Sequence, residues 1–196
     1  DIHVNSDNVY TTALATADYL DQIAGDKRRV YVVGESGLRN ALISRHFTIT
    51  DMSPDYVVVG LDSKVTYDKL ATAVLLIRAG ATFIGTNSDS NLPNQRGMVP
   101  GAGSLVKLVE YATQKRPIMI GKPEKIIMAM ALKKSGLNKE QVVMVGDNYN
   151  TDIKAAINFG IDSLLVYSGL STKLEVSKEA IQPTHQVDSL DDWQVE

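Results

Sequence analysis

Two short stretches hold the residues best suited to chemistry. In the first, Val142-Val143-Met144-Val145-Gly146-Asp147 carries an apolar run straight into Gly-Asp, and Asp152 follows five residues later. A glycine at that point lets the backbone turn sharply or approach a ligand closely. Carboxylates at the end of a strand suit Mg²⁺, a hard cation that takes one or two carboxylates and keeps several waters. The same spacing also fits a plain turn at Asp147 and a helix cap or supporting role at Asp152. In the second stretch, Ile118-Met119-Ile120-Gly121 leads into Lys122-Pro123. A lysine at the carboxyl end of a strand is placed to neutralise an anion, a phosphate above all. Most lysines are simply solvated, so Gly-Lys-Pro alone says little. Followed one strand–helix unit later by Gly-Asp, it points to phosphoryl chemistry.

Other chemistries are poorly served. The chain has no cysteine, which removes disulfides, thiolate nucleophiles and cysteine metal sites. Its three histidines, His3, His46 and His185, are too scattered for a zinc site and suit surface or packing roles. A formal net charge of -3 argues against a nucleic-acid platform built on bulk positive charge. Gly34-Glu35-Ser36-Gly37 lacks the spacing of a nucleophile elbow and reads as a strand–helix turn. Gly101-Ala102-Gly103-Ser104 lacks the lysine and spacing of a P-loop and suits close helix packing. Met128 and Met130 read as core filling, and Trp193 as an anchor for the C-terminus.

The elements that must position these residues follow from pattern. Arg29 to Gly34, Tyr56 to Gly60, Thr82 to Gly85, Pro117 to Gly121, Val142 to Gly146 and Ser163 to Tyr167 are short and apolar, most of them rich in β-branched residues, which predicts buried strands. Helices are expected from Asn8 to Ala24, after Thr66 as far as Gly80, from Glu124 to Ser135 behind Pro123, and from Asp152 to Phe159. Gly25, Gly136 and Gly160 serve as stops. Alternating strands and helices predict an α/β fold with a parallel sheet. In such sheets ligands bind beyond the carboxyl ends of the strands, which places Asp147 and Lys122 on the ligand-facing rim. No apolar run is long enough to span a membrane.

Gly121-Lys122-Pro123 followed by Gly146-Asp147-Asn148-Tyr149-Asn150-Thr151-Asp152-Ile153 resembles motifs three and four of the haloacid dehalogenase superfamily, in its NagD-like, 4-nitrophenylphosphatase-type branch. Tyr31-Val32-Val33-Gly34-Glu35, Tyr56 to Asp62, Thr86-Asn87 with Asp89, Pro100 to Leu105 and Gly160-Ile161-Asp162 extend the resemblance over almost the whole chain. The resemblance implies a Rossmann-like parallel-sheet core with an inserted α/β cap: residues 1–21 as a core helix, 22–117 as cap, 118–196 as core again. It further implies Mg²⁺ on Asp147, with Asp152 contributing indirectly, and Lys122 on the phosphoryl group. Asn87 and Asp89 are implied in substrate binding, within a cap loop from Thr86 to Gly97. The implied activity is hydrolysis of small organic or sugar phosphate monoesters through an aspartyl-phosphate, in the cytoplasm. The implied partner is a small phosphorylated metabolite, with no nucleic acid or membrane and with a homo-oligomer allowed.

The sequence departs from the family at one decisive point. Motif one, Asp-x-Asp after an apolar strand, occurs nowhere in the 196 residues, and the adjacent pair Asp191-Asp192 cannot replace it. The expectation is therefore a fragment whose nucleophile and first core strand lie upstream, inactive as it stands. The alternative is a non-catalytic binding or regulatory module on the same fold. A smaller departure is Ser88, where the branch carries proline.

Overall fold

The computed structural model describes residues 3–193, and the chain forms two compact units, Asp1–Gly121 and Lys122–Glu196. Both are built from parallel strands joined through helices, as the alternating pattern requires.

The first unit begins with helix α1 (Thr12–Ala24), shorter than expected because Ser6–Asn8 forms a separate 3₁₀ turn and Val9 is extended. Strand β1 (Arg29–Val33), α2 (Ser36–Ser44), β2 (Thr48–Ile49), β3 (Tyr56–Val59), α3 (Tyr67–Arg78) and β4 (Thr82–Gly85) follow. A hairpin of β5 (Asn91–Asn94) and β6 (Gly97–Pro100), then α4 (Ala102–Thr113) and β7 (Ile118–Met119), complete it. Five strands make one parallel sheet in the order β2-β1-β3-β4-β7. Thr66 caps α3 as its position predicts, its hydroxyl accepting from the Lys69 N–H at 3.2 Å. The sheet's centre is apolar: Val57, Val58 and Val59 are fully buried, and Val57 and Val59 pack with Val33, Ala73, Ile77, Phe83, Val106 and Val109.

The expected division after Pro117 falls four residues earlier than the observed one. Ile118 and Met119 pair with Ile84 and Gly85, and the N–H groups of Ile120 and Gly121 donate to the carbonyls of Gly85 and Thr86. Those bonds carry the backbone along β4 as far as Gly121. The helix assigned to residues 1–21 likewise stands in this unit, where α1 packs on α2 and the Arg45 guanidinium meets Asp18 at 2.6 Å.

The second unit contains α5 (Lys125–Ser135), β8 (Val143–Gly146), α6 (Lys154–Phe159), β9 (Asp162–Val166), α7 (Lys173–Val176) and β10 (His185–Val187). Its parallel sheet runs β10-β9-β8. Pro123 precedes the first turn of α5 instead of occupying it, because Glu124 is still extended. Gly136 and Gly160 end α5 and α6 in the left-handed region, at φ of 69° and 77°, where a β-carbon is disfavoured. A small core of Tyr149, Ile153, Leu165 and Val176 sits beneath the loops at the carboxyl ends of the strands. Trp193 lies edge-on to His185, with ring centroids 4.9 Å apart. Strand β8 is an edge strand, and Val143 and Val145 are 43% and 41% exposed. No helix among the described residues is long and apolar enough to cross a membrane.

Candidate active site

The site grows from the carboxyl end of β8. Gly146 closes the strand, and the chain then makes a wide five-residue turn, Tyr149–Ile153, before α6. The expected helix start at Asp152 is therefore displaced to Lys154. Asn148 organises the turn: its Oδ1 accepts from the Asn150 N–H at 3.0 Å, and its carbonyl accepts from the Asp152 N–H at 2.8 Å. Tyr149 and Ile153 point into the small core and anchor the turn there, with the Tyr149 hydroxyl donating to the Ile181 carbonyl at 2.6 Å. Burial raises the pKa of the Tyr149 hydroxyl above its ordinary value.

This turn folds Asp152 back over Gly146. Any side chain at Gly146 would collide with it: a β-carbon there would lie 2.5 Å from Asp152 Oδ2. The Asp152 carboxylate is buried, and both its oxygens are engaged. Oδ2 accepts from the Asn148 N–H at 3.2 Å, and Oδ1 receives the Lys122 ammonium at 2.6 Å. The cap reading of Asp152 is thereby corrected. Asn148 fills the cap position, and Asp152 holds Lys122. The lysine keeps 39% of its side chain in solvent, so its charge is fixed in place yet accessible. A tethered cation can neutralise an incoming anion with little further loss of side-chain freedom.

Asp147, five residues before Asp152, takes different partners. Its Oδ2 accepts from the Leu170 N–H at 3.0 Å, and its carbonyl accepts from the Ser171 N–H at 3.0 Å. Among the described residues the other oxygen, Oδ1, has no protein donor. Among those same residues no group of three or more acidic or histidine side chains converges as a complete metal cage. The donor set nevertheless fits Mg²⁺, which binds through one or two carboxylates with water and substrate oxygens filling the rest. Asp147 would be the ligand, and Asp152 would act through the groups it orients. The loop Gly169–Leu170–Ser171, at the carboxyl end of β9, was not singled out from sequence. The strand-end rule that located Asp147 applies equally to Tyr167-Ser168-Gly169 and could have found it.

The other expected site residues lie in the first unit. Asn87 and Asp89 follow β4; Asn87 is half-buried and Asp89 exposed. Their loop is held from behind by α4, whose Gly103 N–H donates to the Asp89 carbonyl at 2.9 Å. A β-carbon at Gly103 would come within 2.8 Å of that carbonyl oxygen, so the glycines of Gly101-Ala102-Gly103 serve close packing. The stretch read as a loop from Thr86 to Gly97 includes β5 and runs into an exposed hairpin, with Asn94 accepting from the Arg96 N–H in its turn. Glu35 precedes α2 without capping it and accepts instead from the N–H and hydroxyl of Ser63.

Comparisons with known proteins give this geometry its family. The HAD-hydrolase-like family model matches residues 119–193. The 5'-nucleotidase YutF of Bacillus subtilis (strain 168) is 44% identical over 193 residues, spanning 98% of this chain and 75% of that protein. The chain belongs to the haloacid dehalogenase-like hydrolases. An acid sugar phosphatase of Staphylococcus aureus (strain USA300) is 45% identical over 195 residues, with the same coverages. Among solved structures, Bs-TpNPPase superposes with a TM-score of 0.93 at 44% identity, covering 99% of this chain and 78% of its own. NagD from E. coli K-12 gives 0.91 at 35% identity, covering 98% and 75%. These matches place the haloacid dehalogenase-like chain in the NagD-like phosphatase branch, with the α/β fold its pattern predicts.

Proposed function

We propose that these residues form the phosphoryl- and metal-binding part of a Mg²⁺-dependent phosphatase for small organic or sugar phosphate monoesters. The observation that carries this reading is the 2.6 Å pair between buried Asp152 and partly exposed Lys122, with the strand-end carboxylate of Asp147 five residues before Asp152 and, among the described residues, one of its oxygens without a protein donor. Phosphoryl transfer needs an in-line nucleophile and positive charge on the equatorial oxygens, with little other machinery. Lys122 supplies a fixed positive charge for those oxygens, and Asp152 keeps its ammonium in register. Mg²⁺, when bound through Asp147, supplies the remaining charge neutralisation. In the proposed reaction an aspartate oxygen displaces the substrate alcohol, and water then releases phosphate from the aspartyl-phosphate. That aspartate is not among residues 1–196. These residues are assigned phosphoryl and metal binding, not the bond-making step. The exposed valines of edge strand β8 support a further strand beside it. Asn87 and Asp89, at the carboxyl end of β4, are proposed to choose among substrates.

The test is phosphate release by the intact protein from 4-nitrophenyl phosphate and a panel of sugar phosphates, with and without Mg²⁺. Lys122→Ala should lower kcat/KM by roughly 10²–10³-fold, the usual loss when one charge-stabilising group is removed. Asp147→Asn should raise the Mg²⁺ concentration needed for half-maximal rate. Unchanged kinetics in both variants would sink the assignment. The absence of Asp-x-Asp favours one second reading, a module that binds phosphorylated ligands without hydrolysing them. Phosphate binding lost in Lys122→Ala, with no turnover in the intact protein, would establish it.

A further inference from the structure

We infer that Gly169 and Ser171 are positioning residues that set the carboxylate of Asp147, an inference resting on the reading of Asp147 as the Mg²⁺ ligand. Three hydrogen bonds latch the loop after β9 onto the turn after β8. The Leu170 N–H donates to Asp147 Oδ2 at 3.0 Å, the Ser171 N–H donates to the Asp147 carbonyl at 3.0 Å, and the Tyr149 N–H donates to Ser171 Oγ at 2.8 Å. The latch holds backbone and side chain of Asp147 together, with Oδ2 turned to the loop and Oδ1 away from that bond.

Gly169 makes this arrangement sterically possible. A β-carbon there would lie 2.5 Å from both Cβ and Cγ of Asp147, well inside contact distance. Rotating the carboxylate cannot relieve the clash, because Cβ is fixed to a backbone whose carbonyl Ser171 holds. Any larger residue must therefore displace Asp147 or break the latch. Ser171 acts one step further out: its Oγ satisfies the Tyr149 N–H at the start of the wide turn, beside Asn148 and Asp147. Groups that orient a metal-binding carboxylate commonly control metal affinity about 10–100-fold.

The experiment compares Gly169→Ala, Ser171→Ala and Ser171→Thr with wild type in the intact protein. Mn²⁺ binding is followed by electron paramagnetic resonance, and inorganic phosphate inhibition is measured at saturating Mg²⁺. Gly169→Ala should weaken Mn²⁺ binding about 10–100-fold. Ser171→Ala should weaken it less, and Ser171→Thr, which restores the acceptor oxygen, should recover it. Phosphate inhibition, governed by Lys122, should stay at the wild-type value. Unchanged Mn²⁺ affinity in Gly169→Ala and Ser171→Ala overturns the inference, as does a parallel loss of metal and phosphate affinity. If Gly169→Ala does not fold, the serine pair decides alone. A wild-type protein that neither binds Mn²⁺ nor releases phosphate overturns the phosphatase reading itself.

Discussion

Strands β3 and β8 are both short, valine-containing parallel strands of four residues, Tyr-Val-Val-Val against Val-Met-Val-Gly, and opposite in surroundings. In β3 every side chain is buried between two neighbouring strands and the helices that cover the sheet. Among the described residues the one strand neighbour of β8 is β9, and two valines of β8 stand more than two-fifths exposed. The residues assigned to the proposed reaction, Lys122, Asp147 and Asp152, belong to β8, its following turn and the segment before α5, whereas the loop after β3 carries a buried Asp62 paired with Lys69 at 2.8 Å that the proposed reaction does not use. The contrast separates two duties. The first unit spends its apolar residues on a closed core, and the second devotes a small core to holding polar groups in place.

Substitutions on either side can break that contrast. The largest stability effect is expected at Ile77, fully buried in the first core. Ile77→Ala should cost about 2–5 kcal/mol in chemical denaturation while leaving phosphate inhibition unchanged. A loss of phosphate affinity at native temperatures would show that the two duties are not separable. Asp152→Asn should act the other way. It removes the counter-charge of Lys122 and should cost about 1–2 kcal/mol, below the value for a fully buried pair because the lysine is partly solvated. Its main signature should be weaker phosphate inhibition, and a variant with normal inhibition would show that Lys122 needs no tether.

The smallest effect is electrostatic and belongs to the first unit. The hydroxyl of Ser63, then its N–H, hold the Glu35 carboxyl below its ordinary pKa. A lowered folded-state pKa stabilises above the unfolded value, and that contribution is lost as pH falls through the folded one. Ser63→Ala should therefore move the Glu35 titration, followed by carbon NMR, up toward the ordinary carboxylate range. An unmoved titration would mean that Ser63 is not its support.

The sequence was most legible where apolar run, glycine and polar residue followed one another. All six expected strands exist, and Thr66, Gly136 and Gly160 bound helices as their types predict. It was least legible where pairing depends on distant partners. The two-residue β2, the β5–β6 hairpin with Pro93 inside a strand, and β10 carry little local signal, since exposed strands lack the apolar run that marks buried ones.

By itself the sequence determined the α/β class, the strand-end positions of Lys122 and Asp147, and the absence of an Asp-x-Asp among these residues. Local periodicity and residue chemistry are enough for that. Only the tertiary structure decided that Asp152 holds Lys122 instead of capping a helix, and that the loop after β9 grips Asp147. It also decided that residues 118–121 run along β4. Each of these rests on hydrogen bonds between segments about 20 to 35 residues apart, which no local pattern encodes.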